Sequence, residues 1–256
     1  MGDKKERTVV LEPLEMSEVE KIALADEVIT LAREIEIDVT ADQALLCVKH
    51  LLYVQQVNQY MNLTRINDMH EALILHIVDS LSLARSLPMD PERFLDMGTG
   101  AGFPGIPFQI LMDCEGVLLD SVGKKISAVN AFISTLGLDG LVGVHDRLES
   151  FAERERGRFD MVFARAVGQL PTIIEYGTPF LEDGGYLVLA KANPTPDELK
   201  AGEKAAEICG LEFVGCDEFE LPQQMGHRSV LMYQKVDEPR IALPRQVGTA
   251  KRAPLA

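Results

Sequence analysis

Residues 93–105 read Arg-Phe-Leu-Asp-Met-Gly-Thr-Gly-Ala-Gly-Phe-Pro-Gly. A short apolar run ends at Asp96, and glycines follow at positions 98, 100, 102 and 105 before a second apolar segment begins. Glycine allows the backbone to turn sharply and to approach a ligand closely. A glycine-rich turn between a strand and a helix forms a nucleotide-sized site at the edge of a parallel sheet. The stretch therefore predicts an α/β protein with a nucleoside-binding turn.

The spacing of these glycines is compatible with two cofactors. From Gly98 it reads G-x-G-x-G after an acidic residue, a pattern common in S-adenosylmethionine (AdoMet) methyltransferases. From Gly100 it reads G-x-G-x-x-G, the dinucleotide fingerprint. Asp120 closes the apolar run 117–120, and a carboxylate at the end of a second strand binds a ribose diol in either fold. A glycine-rich turn that holds no ligand is the third possibility, so the glycines alone leave the choice open.

Composition restricts the class of protein. The chain has 256 residues, of which 46% are hydrophobic and 25% charged, as in an ordinary soluble protein. No apolar run is long enough to span a bilayer. The charged first residues are not followed by the apolar stretch of a secretory signal, so we expect none. The four cysteines show no C-x-x-C spacing and do not cluster with the five histidines. We therefore expect a cytoplasmic protein with free thiols and no metal site.

The net charge of −15 argues against binding of nucleic acid by bulk attraction, because phosphate contacts supply most of that affinity. Residues 239–256 differ from the rest, since they contain four basic residues and no acid. An RNA partner would therefore be bound through local basic features or with the help of other molecules. A small-molecule enzyme with a solvated acidic surface is the alternative.

The first third of the chain predicts helices. Residues 1–15 lack a period and predict a mobile arm, and residues 16–90 predict a helical lead-in packed on the main domain. Three capping boxes predict helix starts: Ser17-x-x-Glu20, Thr40-x-x-Gln43 and Asp68-x-x-Glu71. Apolar residues recur at spacings of three and four behind the second and third starts: Cys47, Leu51, Val54, Val57 and Met61, then Ile74, Ile77, Leu81 and Ala84.

From residue 91 the pattern alternates between strands and helices, which favours a mostly parallel sheet covered on both faces. The predicted strands are 93–97, 117–120, 142–144, 159–164 and 185–190, followed by a hairpin of 211–219 and 229–236. Thr195 and Pro196 open a further helix. Five alternating strands completed by a hairpin is the methyltransferase order, which favours AdoMet over a dinucleotide. We predict a methyltransferase domain over 91–238 and a basic tail over 239–256.

The sequence lacks the catalytic motifs of several classes of methyltransferase. Strand 159–164 runs into Arg165 without the (Asp/Asn)-Pro-Pro-aromatic motif of enzymes that methylate amino groups of bases. No cysteine stands in the setting of a cytosine-C5 nucleophile, and no Ser/His/Asp or paired-carboxylate pattern is present. Guanine N7 is a methyl acceptor that needs no such catalytic group, because its in-plane lone pair carries no proton and can attack a sulfonium methyl directly. In A-form RNA this atom is accessible only when the base is unpaired or extruded.

Several stretches of the sequence occur together in one known family. They are Asn62-Leu63-Thr64-Arg65-Ile66, His76-Ile77-Val78-Asp79-Ser80-Leu81, residues 95–107 as D-x-G-(S/T)-G-x-G-x-P-G-x-P, Leu119-Asp120-Ser121 with Lys124-Lys125, Arg147-Leu148-Glu149, Phe159-Asp160 through Arg165-Ala166, and Pro244-Arg245-Gln246-Val247-Gly248-Thr249 with Pro254-Leu255. In this combination, over residues 45–255, the chain resembles the bacterial 16S rRNA guanine-N7 methyltransferases, the glucose-inhibited division protein B family.

The resemblance implies a class I AdoMet-dependent methyltransferase of Rossmann-like fold that methylates N7 of a guanine in the decoding-region hairpin of 16S rRNA. Asp120 would bind the ribose hydroxyls, and Leu148 with Glu149 would border the adenine. The residues implied around the rest of the cofactor are Asp96, Gly98, Thr99, Gly100, Gly102, Phe103 and Arg165. Arg165 and Arg147 would position the reactants without a general base, and Arg147, Lys191 and Arg245 would contact RNA. The partner would be 16S rRNA within a small-subunit particle, and we expect a monomer.

Structural roles compete with these assignments. Asp120 could be a solvated acid at a strand end, and Arg147 and Arg165 could be surface ion-pair residues. His76 and Asp79 are expected to fasten the lead-in to the sheet. Three rival functions remain: a small-molecule AdoMet methyltransferase, a nicotinamide-dependent reductase, and a non-catalytic AdoMet sensor.

Overall fold

Seven strands form one sheet in this computed structural model, which describes residues 9–165 and 168–256. They are β1 (Arg93–Met97), β2 (Glu115–Asp120), β3 (Leu141–His145), β4 (Phe159–Arg165), β5 (Leu181–Lys191), β6 (Leu211–Glu220) and β7 (His227–Lys235). The order is β3-β2-β1-β4-β5-β7-β6. β7 runs antiparallel to both of its neighbours, and the other pairings are parallel. The predicted mostly parallel sheet that ends in an antiparallel hairpin is confirmed.

Helices cover both faces of this sheet. They are α1 (Glu18–Glu34), α2 (Ala41–Asn58), α3 (Met69–Ala72), α4 (Asp79–Leu81), α5 (Gly105–Met112), α6 (Gly123–Leu136), α7 (Leu148–Ala152), α8 (Leu170–Gly177), α9 (Pro196–Cys209) and α10 (Thr249–Arg252). Successive strand residues point to opposite faces, so Phe94 packs in the core beneath the N-terminal helices and Leu95 in the core beneath α8 and α9. Burial on both faces explains why β1, β2 and β4 are mostly apolar, whereas β6 at the edge of the sheet is exposed along much of its length.

The predicted helix starts are confirmed by their hydrogen bonds. Ser17 and Thr40 each cap a helix in a reciprocal capping box, and Asp68 accepts from the Glu71 N–H at 2.9 Å. The Thr195 side chain accepts from the Glu198 N–H, with Pro196 at the first helical position. None of the helices among residues 9–165 and 168–256 is both long and apolar enough to cross a membrane.

A π-helical segment, Leu73–Val78, interrupts the helix that the sequence predicts behind Asp68. The Asp79 N–H donates to Ile74 O, five residues back, in place of the usual four. The predicted apolar face survives, because Ile74 and Ile77 are fully buried. The interruption therefore changes the backbone hydrogen bonding next to Asp79 without changing which side chains form the core.

Residues 9–15, the second half of the predicted mobile arm, contact both the core and α2. Val9, Leu11 and Leu14 pack against the core, and the Glu12 backbone exchanges two hydrogen bonds of 3.1 Å with the Gln56 amide on α2. The Gln56 amide thereby satisfies both polar groups of the Glu12 backbone and attaches this segment to α2. The rest of the predicted arm, residues 1–8, lies outside the described residues.

Candidate functional site

Three cavities adjoin one another at the carboxyl ends of the parallel strands, the edge where open α/β sheets bind ligands. The Glu149 pocket, about 180 Å³, is lined by Gly98, Leu119, Asp120, Ser121, Asp146, Arg147, Leu148, Glu149, Tyr176, Gly248 and Lys251. The Phe103 pocket, about 320 Å³, is lined by Leu63, Thr64, His76, Gly98, Thr99, Gly100, Ala101, Phe103 and Arg165. The Asp79 pocket, about 550 Å³, is lined by Ile66, Leu75, His76, Asp79, Arg165, Ala190, Lys191, Ala192, Asn193, Glu198 and Arg228. Shared walls at Gly98 and at His76 with Arg165 join the three.

The glycine turn between β1 and α5 separates the first two pockets. The Gly98 and Thr99 N–H groups donate to Leu119 O at 2.8 and 3.1 Å, which ties the turn to the end of β2. Gly100 and Gly102 have φ values of +63° and +90°, which L side chains rarely adopt. A Cβ on Gly102 would lie 2.6 Å from Ile106 Cδ1, whereas a Cβ on Gly100 would have no neighbour closer than 3.9 Å. Gly102 is needed for packing, and Gly100 leaves open space beside the pocket.

Asp120 ends β2 and lines the Glu149 pocket. Its Oδ2 accepts from the Gly100 N–H at 3.1 Å and its Oδ1 from the Val122 N–H at 2.9 Å. Lys125 Nζ lies 3.9 Å from Oδ2. A carboxylate oxygen can accept more than one hydrogen bond, so both oxygens retain capacity for a ligand hydroxyl. The strand-end position predicted for Asp120 is therefore occupied by an oriented carboxylate.

Asp96 lies beneath the turn and lines none of the three cavities. It is almost fully buried, and its Oδ2 accepts from the Gly105 N–H at 3.0 Å. Burial raises the pKa of Asp96 to about 6, against the hydrogen bond from Gly105 that favours the charged form. This carboxylate supports the start of α5, and the direct cofactor contact implied for Asp96 has no counterpart in this geometry.

Phe103 lies between two histidines at the centre of the site. Its ring stacks on His76 at 4.6 Å and lies 4.5 Å from the His50 ring, with Arg165 Cζ 5.8 Å from its centroid. Burial lowers the pKa of His50 to about 3, and burial together with the Arg165 charge lowers the pKa of His76 to about 4. Both imidazoles are therefore neutral near pH 7.

Hydrogen bonds fix the orientation of both rings. His50 Nε2 lies 3.0 Å from Ala101 O, and because a carbonyl only accepts, Nε2 is the protonated nitrogen. His76 Nε2 forms a hydrogen bond of 2.8 Å with Thr64 Oγ1, and the Ile66 N–H donates to the same Oγ1 at 3.1 Å. The loop that precedes α3 is thus attached to the wall shared by the Phe103 and Asp79 pockets.

Two arginines converge on Asp79, which is almost fully buried. Arg165 Nη1 donates to Asp79 Oδ2 at 3.0 Å and to Leu75 O, in the π-helical segment, at 3.2 Å. Arg228 donates through Nε to Asp79 Oδ1 at 2.6 Å and through Nη2 to Oδ2 at 3.3 Å. Asp79 therefore joins the lead-in to β4 and β7. The sequence assigned Arg228 no role, and its only signal was a basic residue at the start of the late hairpin strand.

The adenine side of the predicted site contains residues that the sequence did not indicate. Glu149 Oε1 accepts from the Gly248 N–H at 2.7 Å, which brings the C-terminal segment onto the Glu149 pocket together with Lys251. Tyr176 lines the same pocket, and burial, with the nearby Glu149 carboxylate, raises its pKa to about 12. These contacts join segments that are distant in sequence, so no local pattern could reveal them.

The structure separates the two arginines that were expected to act together. Arg147 is exposed and lines the Glu149 pocket, whereas Arg165 lines the Phe103 and Asp79 pockets, and the two residues share none of the three cavities. Leu148 and Glu149 line the Glu149 pocket beside Arg147. The geometry thus places Arg147 on the Glu149 pocket, apart from Arg165.

Lys191 and Arg245, two expected RNA contacts, each form an ion pair with a glutamate. Lys191 Nζ lies 2.7 Å from Glu198 Oε1 and 2.7 Å from Gly168 O, although Lys191 does line the Asp79 pocket. Arg245 forms a bidentate pair with Glu175, which is 3% exposed, and its Nε lies 2.7 Å from Glu175 Oε1. A buried carboxylate requires such a partner, so Arg245 anchors the basic tail on α8, and its expected contact with RNA stays a prediction.

Within the described ranges, no group of three or more His, Cys, Asp or Glu side chains is arranged to hold a metal ion.

The chain is similar to known proteins both in sequence and in fold. The family model for GidB, rRNA small subunit methyltransferase G, matches residues 44–225. A protein of Desulforamulus reducens named ribosomal RNA small subunit methyltransferase G is 34% identical over 229 residues, 88% of this chain and 95% of that protein. Its namesake in Desulfitobacterium hafniense is 37% identical over 201 residues, 77% of this chain and 83% of that protein.

Two solved structures are similar in fold. Cofactor-bound Rv0187 from MTB superimposes with a TM-score of 0.53 at 15% identity, covering 74% of this chain and 91% of that chain. A variant of the 16S rRNA (adenine(1408)-N(1))-methyltransferase from Catenulisporales acidiphilia superimposes with a TM-score of 0.50 at 14% identity, covering 57% and 86%. At this identity the likeness concerns the fold alone, and it confirms the predicted class I methyltransferase architecture.

Proposed function

Because this chain belongs to the rRNA small subunit methyltransferase G family, we propose that it transfers a methyl group from AdoMet to N7 of a guanine in the decoding-region hairpin of 16S rRNA. The observation that carries the proposal is the continuity of the three pockets. A nucleoside-sized site around Asp120 and the glycine turn opens, past Phe103, into a larger cavity walled by Arg165 and Arg228.

The residues present fit AdoMet. Asp120 has hydrogen-bonding capacity for the ribose hydroxyls, and the space beside Gly100 allows a ligand to approach the backbone closely. Leu148, Glu149 and Tyr176 offer an apolar and a polar wall for the adenine. The methionine part would lie in the Phe103 pocket, against Thr99 and Gly100.

When bound, AdoMet supplies an electrophilic methyl group on a positively charged sulfur. Guanine N7 carries no proton at neutral pH, so the protein need not provide a general base. The lowered pKa of His76, which lines the Phe103 pocket, would keep that ring uncharged beside the place proposed for the methionine part. Arg165 is held in one orientation by Asp79 and Leu75, both through Nη1. Its role would be to position the base at the shared wall, which is catalysis by alignment.

The substrate enters from the Asp79 pocket. N7 lies in a groove that proteins cannot reach in paired A-form RNA, so the guanine must be unpaired or extruded. The net charge of −15 favours an assembled small-subunit particle over free RNA as substrate, because several surfaces of a particle can position it. We further propose that a cytoplasmic monomer suffices, since one chain lines all three pockets.

A small-molecule AdoMet methyltransferase is the second candidate, favoured by the acidic surface. The deciding experiment is transfer of radiolabelled methyl from AdoMet to small-subunit particles that lack the modification, with the product base mapped. Label on N7 of one guanine supports the proposal. AdoMet binding without label on the particle would favour the second candidate or a sensor.

A further inference from the structure

The Asp79 pocket contains two carboxylates, and their hydrogen bonds distinguish them. Both oxygens of Asp79 accept from arginines. Glu198 instead uses one oxygen for both of its contacts, since Oε1 accepts from the Leu170 N–H at 3.1 Å and forms an ion pair with Lys191 Nζ at 2.7 Å. Its Oε2 accepts no hydrogen bond from any residue that the structure describes. One carboxylate oxygen in this cavity is therefore available to a ligand.

The fold holds this carboxylate in place. Thr195 caps α9, which puts Glu198 in the first turn of the helix beside Lys191 at the end of β5. The bond from Leu170 adds a second anchor from the start of α8. The side chain of Glu198 is 18% exposed. A side chain already fixed in this way loses little conformational entropy when it binds a ligand.

The chemistry of the free oxygen matches one edge of guanine. Guanine presents two donors on its Watson–Crick edge, the N1–H and the 2-amino group, whereas adenine presents an acceptor at N1. A carboxylate accepts hydrogen bonds and donates none when ionised, so it favours guanine. Enzymes that take up an extruded base commonly recognise it through this edge.

The position of Glu198 also suits attack by N7, which lies on the opposite edge of the purine from N1 and the 2-amino group. Glu198 lines the Asp79 pocket and not the Phe103 pocket, whereas Arg165 and His76 line both. A guanine with its Watson–Crick edge on Glu198 would therefore direct its N7 edge toward this shared wall.

We propose that Glu198 recognises the N1–H and 2-amino groups of the target guanine and is the residue that selects guanine over other bases. This inference rests on the proposed function, because it assigns the base within the same site.

The test compares two variants and two substrates. Small-subunit particles are reconstituted with rRNA that carries either guanosine or inosine at the mapped target, since inosine lacks only the 2-amino group. The wild-type protein is expected to prefer guanosine by about tenfold or more in kcat/KM, the usual value of a lost base contact. E198Q is expected to lose at least tenfold on guanosine and to show a guanosine-to-inosine ratio within about threefold of unity. D197N, which removes an exposed acid from the same helical turn, is the control and should keep the wild-type ratio.

AdoMet affinity, measured by calorimetry, should be the same in all three proteins and verifies that the variants fold. The inference is overturned if the wild type methylates both particles equally, or if E198Q retains the wild-type ratio. Absence of N7 methylation of the guanosine particle by the wild type would overturn the proposed function itself, and this inference with it.

Discussion

At the scale of single residues, Asp120 has the clearest expected effect on cofactor binding. Each of its oxygens already accepts one backbone N–H, so an incoming ribose would meet an oriented carboxylate. We expect Asp120→Ala to weaken AdoMet binding by about 10- to 100-fold, because charge-assisted hydrogen bonds are lost. Calorimetric titration measures this, with Asp139→Ala, an exposed acid outside the pockets, as the control. Unchanged affinity in Asp120→Ala would remove this residue from the site.

Arg165 is expected to matter more for turnover than for stability. Asp79 keeps Arg228 as a partner when Arg165 is removed, so its charge is not left alone. Arg165→Ala should therefore cost only about 1–2 kcal/mol of unfolding free energy, while methyl transfer falls by about 100-fold because the guanidinium at the shared wall is missing. Urea unfolding and single-turnover methylation are the two measurements. A large loss of stability with intact turnover would make Arg165 a structural residue.

Asp96 predicts a pH-dependent stability. Its pKa is about 6 in the folded protein and about 3.9 in an unfolded chain, so the folded state binds the proton more tightly. The favourable contribution is present below pH 4 and is lost as the pH rises through 6. Asp96→Asn, whose Oδ1 can still accept from Gly105, should therefore gain stability relative to wild type at pH 8, by up to about 2–3 kcal/mol.

Thermal unfolding of both proteins at pH 8 and pH 5, without added ligand, measures this difference. The advantage of Asp96→Asn should shrink at pH 5, where much of the wild-type carboxyl is protonated. A difference that stays constant between the two values would show that Asp96 does not titrate in this range.

At the scale of elements, the β1–α5 turn predicts opposite outcomes for two neighbouring glycines. Gly102→Ala places a Cβ 2.6 Å from Ile106 Cδ1 at a φ of +90°, so we expect a loss of several kcal/mol or a failure to fold. Gly100→Ala, at a φ of +63° with open space around it, should fold at a cost of about 1–2 kcal/mol. Its AdoMet affinity should nevertheless fall at least tenfold, because the new methyl group occupies the ligand's approach. Equal AdoMet affinity in Gly100→Ala and wild type would contradict a close backbone approach there.

Elements were the most predictable part of this protein, since their signals are local. Ser17, Thr40 and Thr195 are N-cap residues, and each predicts a helix start from a pattern of four residues. The strand that contains Asp96 is likewise followed directly by the glycines of the turn. The π-helical segment was not predictable, because one shifted hydrogen bond leaves the apolar face of Ile74 and Ile77 unchanged. The contacts of residues 9–15 with α2 could not be predicted, because they join segments that are distant in the sequence.

At the scale of the whole molecule, the pair of Arg245 and Glu175 attaches the C-terminal segment to α8. Removal of Arg245 leaves a carboxylate that is 3% exposed without its cation, so Arg245→Ala should cost about 3 kcal/mol. It should also weaken AdoMet binding, because Gly248 and Lys251 of the same segment line the Glu149 pocket.

Arg240→Ala is the matched control, since Arg240 and Glu207 form an exposed pair that should contribute less than about 1 kcal/mol. Denaturant unfolding and AdoMet titration of both variants provide the comparison. If Arg245→Ala instead leaves stability and cofactor affinity intact and lowers only RNA binding, Arg245 is an RNA contact after all.

The residues of the candidate site fall into two groups, those that a local sequence pattern could predict and those that depend on tertiary contacts. The glycine turn, Asp120 and Leu148 with Glu149 follow strand ends, so the order of motifs along the chain was enough to indicate them. Arg228, Tyr176 and Lys251 reach the pockets only through tertiary packing. The roles expected for Lys191 and Arg245 took no account of the acids beside them, which only the folded chain brings within reach.

The ion pairs of Asp79 with Arg165 and Arg228 restrict how these three positions can change during evolution. Loss of Asp79 alone would leave two neighbouring cations facing each other, and loss of both arginines would leave an unpaired carboxylate in the interior. Loss of Asp79 and loss of both arginines are each costly, although the three residues lie in separate parts of the chain. Lineages descended from this protein should therefore keep Asp79 together with at least one of the two arginines, or change all three positions, so that the lead-in and the sheet vary jointly at this contact.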